Sequence, residues 1–394
     1  KDPSALHNTE WKKLQRKTML EGGRPDECYY CWSIEDLPGE HLSDRMFHSS
    51  SPVFRAMIDR LPKLPWDAPI NPKYLEISFG NACNFRCGYC GPQASTMWME
   101  EVKKHGDYDI THPQYSIQFL KTGTYYGPKD SNPYVDAFWK WWPSLRKDLL
   151  TLRITGGEPL MNPAAMQFFD LLDKEPAPLL EVILNSNLGV TFDRVDRLLE
   201  RVKILKAERK IRKFGFFTSI DTWGPQAEYM RTNLNLEHWE RNVRAVIAAG
   251  TTVNLMVTFN VLCVSNFRSF LEKMIEWRKE LGKDSISFDT PYLKDPPHWM
   301  ISILTDDFFK HMDDNLQFIK DNMEWFQESE YEKLLRVTDF MKAKSVPAEK
   351  VRRGRRDFYV FFTENDRRLG TNLLEVFPEY TDFYNLCKEV YENE

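Results

Sequence analysis

The chain has 394 residues, a formal net charge of −5, and 42% hydrophobic and 14% aromatic residues. This composition excludes a disordered chain, provides for a sizeable core, and disfavours a dedicated nucleic-acid-binding domain, which is usually basic. No stretch approaches the roughly 20 consecutive apolar residues of a membrane span, and the amino terminus lacks the basic-then-apolar pattern of a secretion signal.

Three regions follow one another in the predicted organisation. Residues 1–72 form an amino-terminal module with a helix at 10–20, a turn-rich stretch and a proline-rich linker. Residues 73–300 alternate short apolar strands with helices, which predicts parallel βαβ units. Residues 301–394 are predicted to form a helical, charged extension. The predicted fold class is therefore α/β, a partial (βα)6 TIM-like barrel with an amino-terminal cysteine-bearing module and a helical carboxyl-terminal extension.

The strands of the barrel are predicted at 74–79, 149–155, 180–185, 214–220, 252–259 and 285–289. The stretch 108–144 interrupts the first βαβ unit and is predicted to be an insertion. Its tryptophans, Trp139, Trp141 and Trp142, are expected to pack in a core or lid and not to form a base-stacking platform.

The seven cysteines are grouped and not spread along the chain, because five of them form a pair, Cys28 and Cys31, and a triplet, Cys83, Cys87 and Cys90. An odd number in tight groups, without a secretion signal, indicates metal or iron–sulfur ligands in a reducing compartment. We therefore expect a cytoplasmic, metal-binding protein.

The triplet follows the first predicted strand at spacings of four and three residues. Three thiolates on one loop suit three corners of a cubane iron–sulfur cluster and leave the fourth iron open to a cofactor. Zinc would need a fourth ligand, and no histidine lies within about fifteen residues of the triplet on either side.

This Cys-x3-Cys-x2-Cys pattern, with Tyr89 directly before Cys90, resembles the motif of the radical S-adenosylmethionine (SAM) superfamily. The resemblance implies that Cys83, Cys87 and Cys90 are the catalytic centre and hold a [4Fe–4S] cluster whose open iron binds SAM. Reductive cleavage of SAM would give a 5′-deoxyadenosyl radical that abstracts hydrogen from a substrate. A reductant such as flavodoxin or ferredoxin is implied as the electron donor.

Further candidate SAM-binding residues follow later strands. Glycines in the Gly156-Gly157-Glu158 turn permit close backbone approach, and a carboxylate can pair with an ammonium group; the resemblance implies that this turn contacts the SAM amino group. It also implies polar contacts from strand ends and an arginine for the SAM carboxylate. The strand-end candidates are Asn187, Ser219 and Asp221, and the arginine is Arg231; for each singly a structural role stays open. Tyr89, beside the last cysteine, is a further candidate. All would project from the carboxyl-terminal rim of the barrel.

The pair Cys28 and Cys31 offers two ligands on one turn, as in zinc knuckles, redox dithiols and auxiliary iron–sulfur sites. The redox hypothesis expects a helix starting inside the motif within a βαβ pattern, and the sequence indicates none. The block 19–45 and the closing stretch 361–383 resemble radical SAM proteins with a twitch domain. That resemblance implies an auxiliary cluster, completed by residues before Lys1; a zinc knuckle or an empty dithiol remains the alternative.

The predicted function is a radical SAM enzyme acting on an unidentified substrate, with a peptide or protein side chain favoured. A nucleotide or small metabolite is the alternative substrate. A non-catalytic iron–sulfur or zinc protein that binds nucleic acid through the basic runs 201–213 and 352–356 is the alternative class, although solvated surfaces explain such runs more simply. No membrane partner is expected.

Overall fold

The structure is a computed structural model that describes residues 7–36, 43–123 and 132–394. The predicted amino-terminal module and insertion therefore fall partly outside the described residues, at 1–6, 37–42 and 124–131. The chain divides into two compact units. One takes the described residues up to Lys73 and those from Asn132 to Leu149, and the other takes the rest. Part of the predicted insertion thus belongs to the first unit.

The α-helices of the described residues are numbered in chain order. They are α1 (Glu10–Leu20), α2 (Tyr29–Glu35), α3 (Asp44–Ser50), α4 (Pro52–Ile58), α5 (Thr96–His105), α6 (Ile117–Thr122), α7 (Pro133–Leu145), α8 (Pro163–Lys174), α9 (Phe192–Ala207), α10 (Pro225–Met230), α11 (Leu236–Ala248), α12 (Cys263–Leu281), α13 (Phe309–Asp321), α14 (Glu328–Ala343), α15 (Ala348–Leu369), α16 (Leu373–Val376) and α17 (Thr381–Glu392). Among the described residues, none of these helices has the length and apolar character needed to cross a membrane.

The strands all lie in the second unit. They are β1 (Tyr74–Ser78), β2 (Arg86–Cys87), β3 (Thr151–Thr155), β4 (Ala177–Ser186), β5 (Ile211–Ser219), β6 (Arg231–Thr232), β7 (Val253–Met256) and β8 (Ile286–Asp289). Six of them form one parallel sheet in the order β1-β3-β4-β5-β7-β8, and β2 pairs with β6 in an antiparallel ladder. The six parallel strands with intervening helices confirm the predicted α/β fold.

The amino-terminal unit is helical in its described part and contains no strand there. Helix α1 begins after Thr9, whose hydroxyl accepts a hydrogen bond from the Lys12 amide over 3.2 Å. In α7, Trp141 and Trp142 are buried, as expected for core packing.

Helix α2 begins at Tyr29, between the two cysteines of the pair, so the expectation that no helix starts inside this motif was wrong.

Candidate active site around the cysteine loop

The cysteine loop, residues 79–91, follows β1 and includes the short strand β2. Pairing of β2 with β6 sets Cys87 opposite Arg231, and the Gly88 amide donates to the Met230 carbonyl over 2.9 Å. The loop is thereby fixed to a segment more than a hundred residues later in the chain.

Helix α5, directly after the loop, holds the loop backbone through its first turn. The Thr96 hydroxyl lies 3.2 Å from both the amide and the carbonyl of Cys83. The Trp98 indole donates to the Cys87 carbonyl over 2.9 Å. Two of the three cysteines therefore have their main chain bound to the same helix.

The three thiols are free and lie close enough to influence one another electrostatically. Burial, with a smaller contribution from Cys87, raises the pKa of both Cys83 and Cys90 to about 12. Burial also raises the pKa of Cys87, against the opposing effect of Arg231. Because cluster ligands are thiolates, binding of a cluster would release protons from these thiols.

The Gly156-Gly157-Glu158 turn follows β3 and packs on the start of the cysteine loop. The Gly157 amide donates to the Gly80 carbonyl over 3.1 Å, and the Glu158 amide donates to the Ala82 carbonyl over 2.6 Å. A Cβ on Gly157 would lie 2.3 Å from the Ala82 oxygen, and Gly156 has a φ of +122°. The sequence therefore needs glycine at both positions for the turn to reach the loop.

The Glu158 carboxylate is buried and accepts three hydrogen bonds from the protein. Oε1 accepts from the Leu160 amide over 2.9 Å and from the Ser186 hydroxyl over 2.8 Å, and Oε2 accepts from the Asn187 amide over 2.6 Å. Burial raises the pKa of this carboxyl to about 7, although the three donors oppose the shift. The structure thus gives Glu158 the role of joining two strand-end turns, while its contact with SAM stays a prediction.

Asn187 lies between that turn and the first cysteine. Its side-chain nitrogen, Nδ2, donates to the Asn84 side-chain oxygen over 2.8 Å and lies 3.7 Å from the Cys83 sulfur. Ser219, at the end of β5, pairs in register with Met256 and makes no side-chain hydrogen bond to another described residue. The structure therefore brings Asn187 to the cysteine loop. The Ser219 hydroxyl, at the carboxyl-terminal end of β5, remains available to bind a ligand.

Asp221, Arg231 and Tyr89 form one buried cluster. The Arg231 guanidinium donates to both Asp221 oxygens over 2.8 Å, and the Tyr89 hydroxyl donates to Asp221 over 2.8 Å. The remaining terminal nitrogen of Arg231 lies 3.5 Å from the Cys87 sulfur. The sequence singled out each of these residues but did not indicate that they bind one another.

Two further side chains contact the cysteine loop, and the sequence analysis did not predict either of them. The Tyr115 hydroxyl donates to the Gly88 carbonyl over 2.7 Å. Trp299 packs so closely that a Cβ on Gly88 would lie 2.3 Å from its ring. Glycine beside a cysteine signals a close approach, but the sequence does not say what approaches.

The donor set fits an iron–sulfur cluster. Three soft thiols lie together on one loop, and two of them, Cys83 and Cys87, have nitrogen donors directed at their sulfur atoms. Among the described residues, no three Cys, His, Asp or Glu side chains are close enough to hold a single metal ion. A cubane cluster binds its cysteines at different corners, so it does not need them to converge on one point.

Cys28 and Cys31 lie at the start of α2 and are half-exposed free thiols. No third ligand-type side chain joins them in the part of the chain that the structure describes. The metal predicted for this pair stays a prediction. Cys263 and Cys387 are buried.

The two basic runs are largely neutralised by nearby carboxylates. Arg352 binds Glu349 and Glu394, and Arg356 binds Asp357 and Glu394. In the run 201–213, the carboxylates that bind the cations are Asp170, Asp173, Glu181, Glu200 and Glu208. Most cations of both runs therefore lie in ion pairs with carboxylates of the chain itself.

Comparison with known proteins identifies one family. The model of the radical SAM superfamily matches residues 77–274, half of the chain. This range includes all three cysteines of the loop and every candidate SAM-binding residue. No curated protein sequence matches the chain.

Among solved structures, native anSMEcpe with bound AdoMet matches with a TM-score of 0.43 and 14% identity, over 64% of this chain and 62% of that one. A histidine-tagged form of anSMEcpe with bound AdoMet matches with a TM-score of 0.41 and 15% identity, over 64% of this chain and 61% of that one. The matched part thus spans about three fifths of those chains. These values are too low to bear on the activity of this chain.

Proposed function

This chain belongs to the radical SAM superfamily, and we propose that its cysteine loop directs reductive cleavage of SAM for hydrogen abstraction from a polypeptide substrate. Membership makes it an enzyme whose cofactors are a [4Fe–4S] cluster and SAM. The observation that carries the assignment to this site is the pair of backbone hydrogen bonds from Gly157 and Glu158 to Gly80 and Ala82. They bring the predicted SAM-binding turn directly against the predicted cluster loop.

Cys83, Cys87 and Cys90 would hold the cluster, which supplies the electron that splits the sulfonium of SAM. Asn187 and Arg231 direct N–H groups at the sulfurs of Cys83 and Cys87. Such donors stabilise negative charge on thiolate ligands and thereby tune the reduction potential of a cluster.

The Asp221 carboxylate fixes the orientation of Arg231 by accepting two of its N–H groups. Tyr89, the residue before Cys90, donates to the same carboxylate. Tyr89 and Arg231, which pairs with Cys87, are therefore both held by Asp221. We propose that the side-chain cluster of Asp221, Arg231 and Tyr89 supports the cysteine loop. Ser219 and the Gly156–Glu158 turn, beside this side-chain cluster, would contact SAM.

The state of the basic runs weighs against the nucleic-acid-binding alternative. Arg352, Arg353 and Arg356 already bind carboxylates of the chain itself, so a phosphate backbone would have to displace these ion pairs. This cost weakens the nucleic-acid-binding alternative.

The test is SAM cleavage by the reconstituted protein. After anaerobic reconstitution, incubation with SAM and dithionite should produce 5′-deoxyadenosine in the wild type and none above background in a Cys87→Ala variant. Absence of 5′-deoxyadenosine despite full cluster loading would overturn the proposal. A Cys387→Ala variant, altered at a buried cysteine away from the loop, is the matched control.

A further inference from the structure

One face of the six-stranded sheet is apolar and covered by helices. Leu152 of β3 and Phe214 of β5 lie on this face and are buried. Phe214 packs against Phe169 of α8, and Phe288 of β8 packs against Phe270 of α12, with ring centroids 6.0 and 5.4 Å apart. This face is the helix-packing face typical of α/β folds.

The opposite face, which we call the polar face, carries Glu76, Arg153, Asn185, Asn254 and Ser287. Glu76 lies beside Arg153 in register, and Asn254 lies beside Ser287. Arg153 donates to the Asn185 side-chain oxygen over 2.9 Å, and Asn254 donates to the Ser287 hydroxyl over 2.9 Å. Strands of parallel sheets are usually apolar on both faces, so polar side chains on five strands of this sheet indicate a surface that meets a ligand.

Arg153 is held in place but keeps hydrogen-bonding capacity. Its Nε is bound to Asn185, and its guanidinium lies over the Phe217 ring, 4.8 Å from the centroid. One terminal nitrogen is 3.7 Å from the Glu76 carboxylate, beyond hydrogen-bond distance, and neither terminal nitrogen has a hydrogen bond to another described residue. A guanidinium fixed in this way presents a preorganised fork for a carboxylate.

Asn254 contributes an unused acceptor. Its side-chain oxygen is buried and has no hydrogen-bond partner among the described residues, while its nitrogen is bound to Ser287. A buried amide oxygen without a donor costs about 1–3 kcal/mol. An N–H group of a ligand on the polar face would satisfy it.

The polar face leads directly to the proposed SAM site. Arg153 is three residues before Gly156 on the same strand-and-turn segment. Asn185 is followed by Ser186, whose hydroxyl binds Glu158. A ligand on this face therefore lies next to the rim at which SAM is proposed to bind.

The charges of this region are balanced. At one edge of the sheet Glu76 accompanies Arg153, and at the other edge Asp289 is bound to Lys333 over 2.8 Å. A polyphosphate needs an excess of positive charge, which the strands of this face do not offer. A group with a carboxylate for Arg153 and an N–H donor for Glu76 or Asn254 matches them.

We propose that the polar face binds the substrate and that it recognises an amino-acid group with a carboxylate and an N–H donor, as in a free amino acid or peptide. Arg153 binds the carboxylate, and an N–H group of the ligand donates to Glu76 or to Asn254. This inference deepens the proposed function and depends on it for the reaction, but the binding itself is independent of SAM cleavage.

The test is equilibrium dialysis of the reconstituted protein against two probe pools, Gly-Xaa-Gly tripeptides with free termini and the four ribonucleoside triphosphates. Wild type is expected to retain tripeptides in preference to triphosphates. Arg153→Met should weaken tripeptide binding about tenfold, the scale of one lost charge-assisted bidentate contact. Arg197→Met, on the exposed surface of α9, should leave it unchanged.

Arg153→Lys, which keeps the charge without the fork, should bind tripeptides with intermediate affinity and provides a second variant if Arg153→Met does not fold. Stronger retention of triphosphates, no retention of tripeptides, or equal tripeptide binding by wild type and a folded Arg153 variant would overturn the inference. Formation of 5′-deoxyadenosine without any probe is measured on the same wild-type sample. Its absence would contradict the proposed function, whereas the dialysis result alone decides the binding site.

Discussion

Arg86 donates a hydrogen bond to the side-chain oxygen of Asn365 over 3.0 Å. This contact joins the residue before Cys87 to helix α15, 279 residues later in the chain. Arg86 is buried and also binds the Tyr108 hydroxyl over 3.1 Å and lies 3.7 Å from the Glu101 carboxylate. The carboxyl-terminal helices are thus part of the support of the cysteine loop.

Replacing Arg86 by methionine should loosen this support. The change leaves Glu101 and Asn365 without one of their partners in a buried place, so we expect the free energy of unfolding of the apoprotein to fall by about 3–5 kcal/mol. Urea unfolding measures it. The reconstituted variant should also lose iron to a chelator faster than the wild type, whereas the surface variant Arg197→Met should not. Iron loss at the wild-type rate would contradict the role given to Arg86.

Gly157→Ala tests the contact between the SAM-binding turn and the cysteine loop. Because the new Cβ would lie 2.3 Å from the Ala82 oxygen, the turn must move and its two backbone hydrogen bonds to the loop weaken. We expect SAM to bind about tenfold more weakly, measured by equilibrium dialysis of the reconstituted protein. The matched control is Gly215→Ala, since a Cβ on Gly215 meets nothing within 4 Å. Equal SAM affinity in both variants would show that the turn does not position SAM.

The sequence was sufficient for the sheet and for the parts of the site that are local in the chain. The predicted strands 149–155 and 214–220 are short runs rich in apolar and β-branched residues, and they overlap the observed strands Thr151–Thr155 and Ile211–Ser219. The cysteine triplet and the Gly156–Glu158 turn were recognisable because their residue spacing itself encodes the geometry.

Other features depend on partners that local pattern does not specify. Asp221 and Arg231 were singled out separately, but only the fold brings them into one ion pair. Arg86 is an ordinary loop cation in the sequence, and only the fold surrounds it with α15 and Tyr108. Helix α2 was missed because it has only seven residues and follows a turn-rich stretch, where intrinsic propensity is a weak guide.

Replacing His298 by leucine should stabilise the folded protein. It is 0% exposed, and neither ring nitrogen has a hydrogen-bond partner among the described residues. Its ring faces Phe361 at 4.8 Å and Tyr115 at 5.9 Å. His298→Leu removes the unsatisfied polar atoms, so the free energy of unfolding should rise by about 1–3 kcal/mol, measured in urea at neutral pH.

The same residue predicts a pH dependence. Burial, with a smaller effect of His112, lowers the pKa of His298 well below its usual range. The unfolded imidazole therefore takes up a proton as pH falls through its ordinary pKa of about 6.5, while the folded one does not, so stability is lost on acidification. The contribution of His298 to stability is therefore present above about pH 6.5 and falls progressively as the pH is lowered below it. His298→Leu should remove it and the exposed-site variant His105→Leu should not; equal pH slopes in all three proteins would refute this.

The auxiliary cluster predicted at Cys28 and Cys31 is tested by metal content. If the pair holds such a cluster, a full-length Cys28→Ala protein should contain about four iron atoms fewer per chain than the wild type after reconstitution. Cys387→Ala, at a buried cysteine, should keep the wild-type content. Iron content that does not change in Cys28→Ala would exclude an auxiliary cluster at this pair.

The central claim is that Cys83, Cys87 and Cys90 hold a [4Fe–4S] cluster with one iron open to SAM. Electron paramagnetic resonance of the dithionite-reduced, reconstituted protein, recorded with and without SAM, tests it most directly. The account predicts a reduced-cluster signal in the wild type that changes when SAM is added, and loss of the SAM-responsive signal in Cys83→Ala. A signal that SAM leaves unaltered, or one that persists and still responds to SAM in Cys83→Ala, would contradict it.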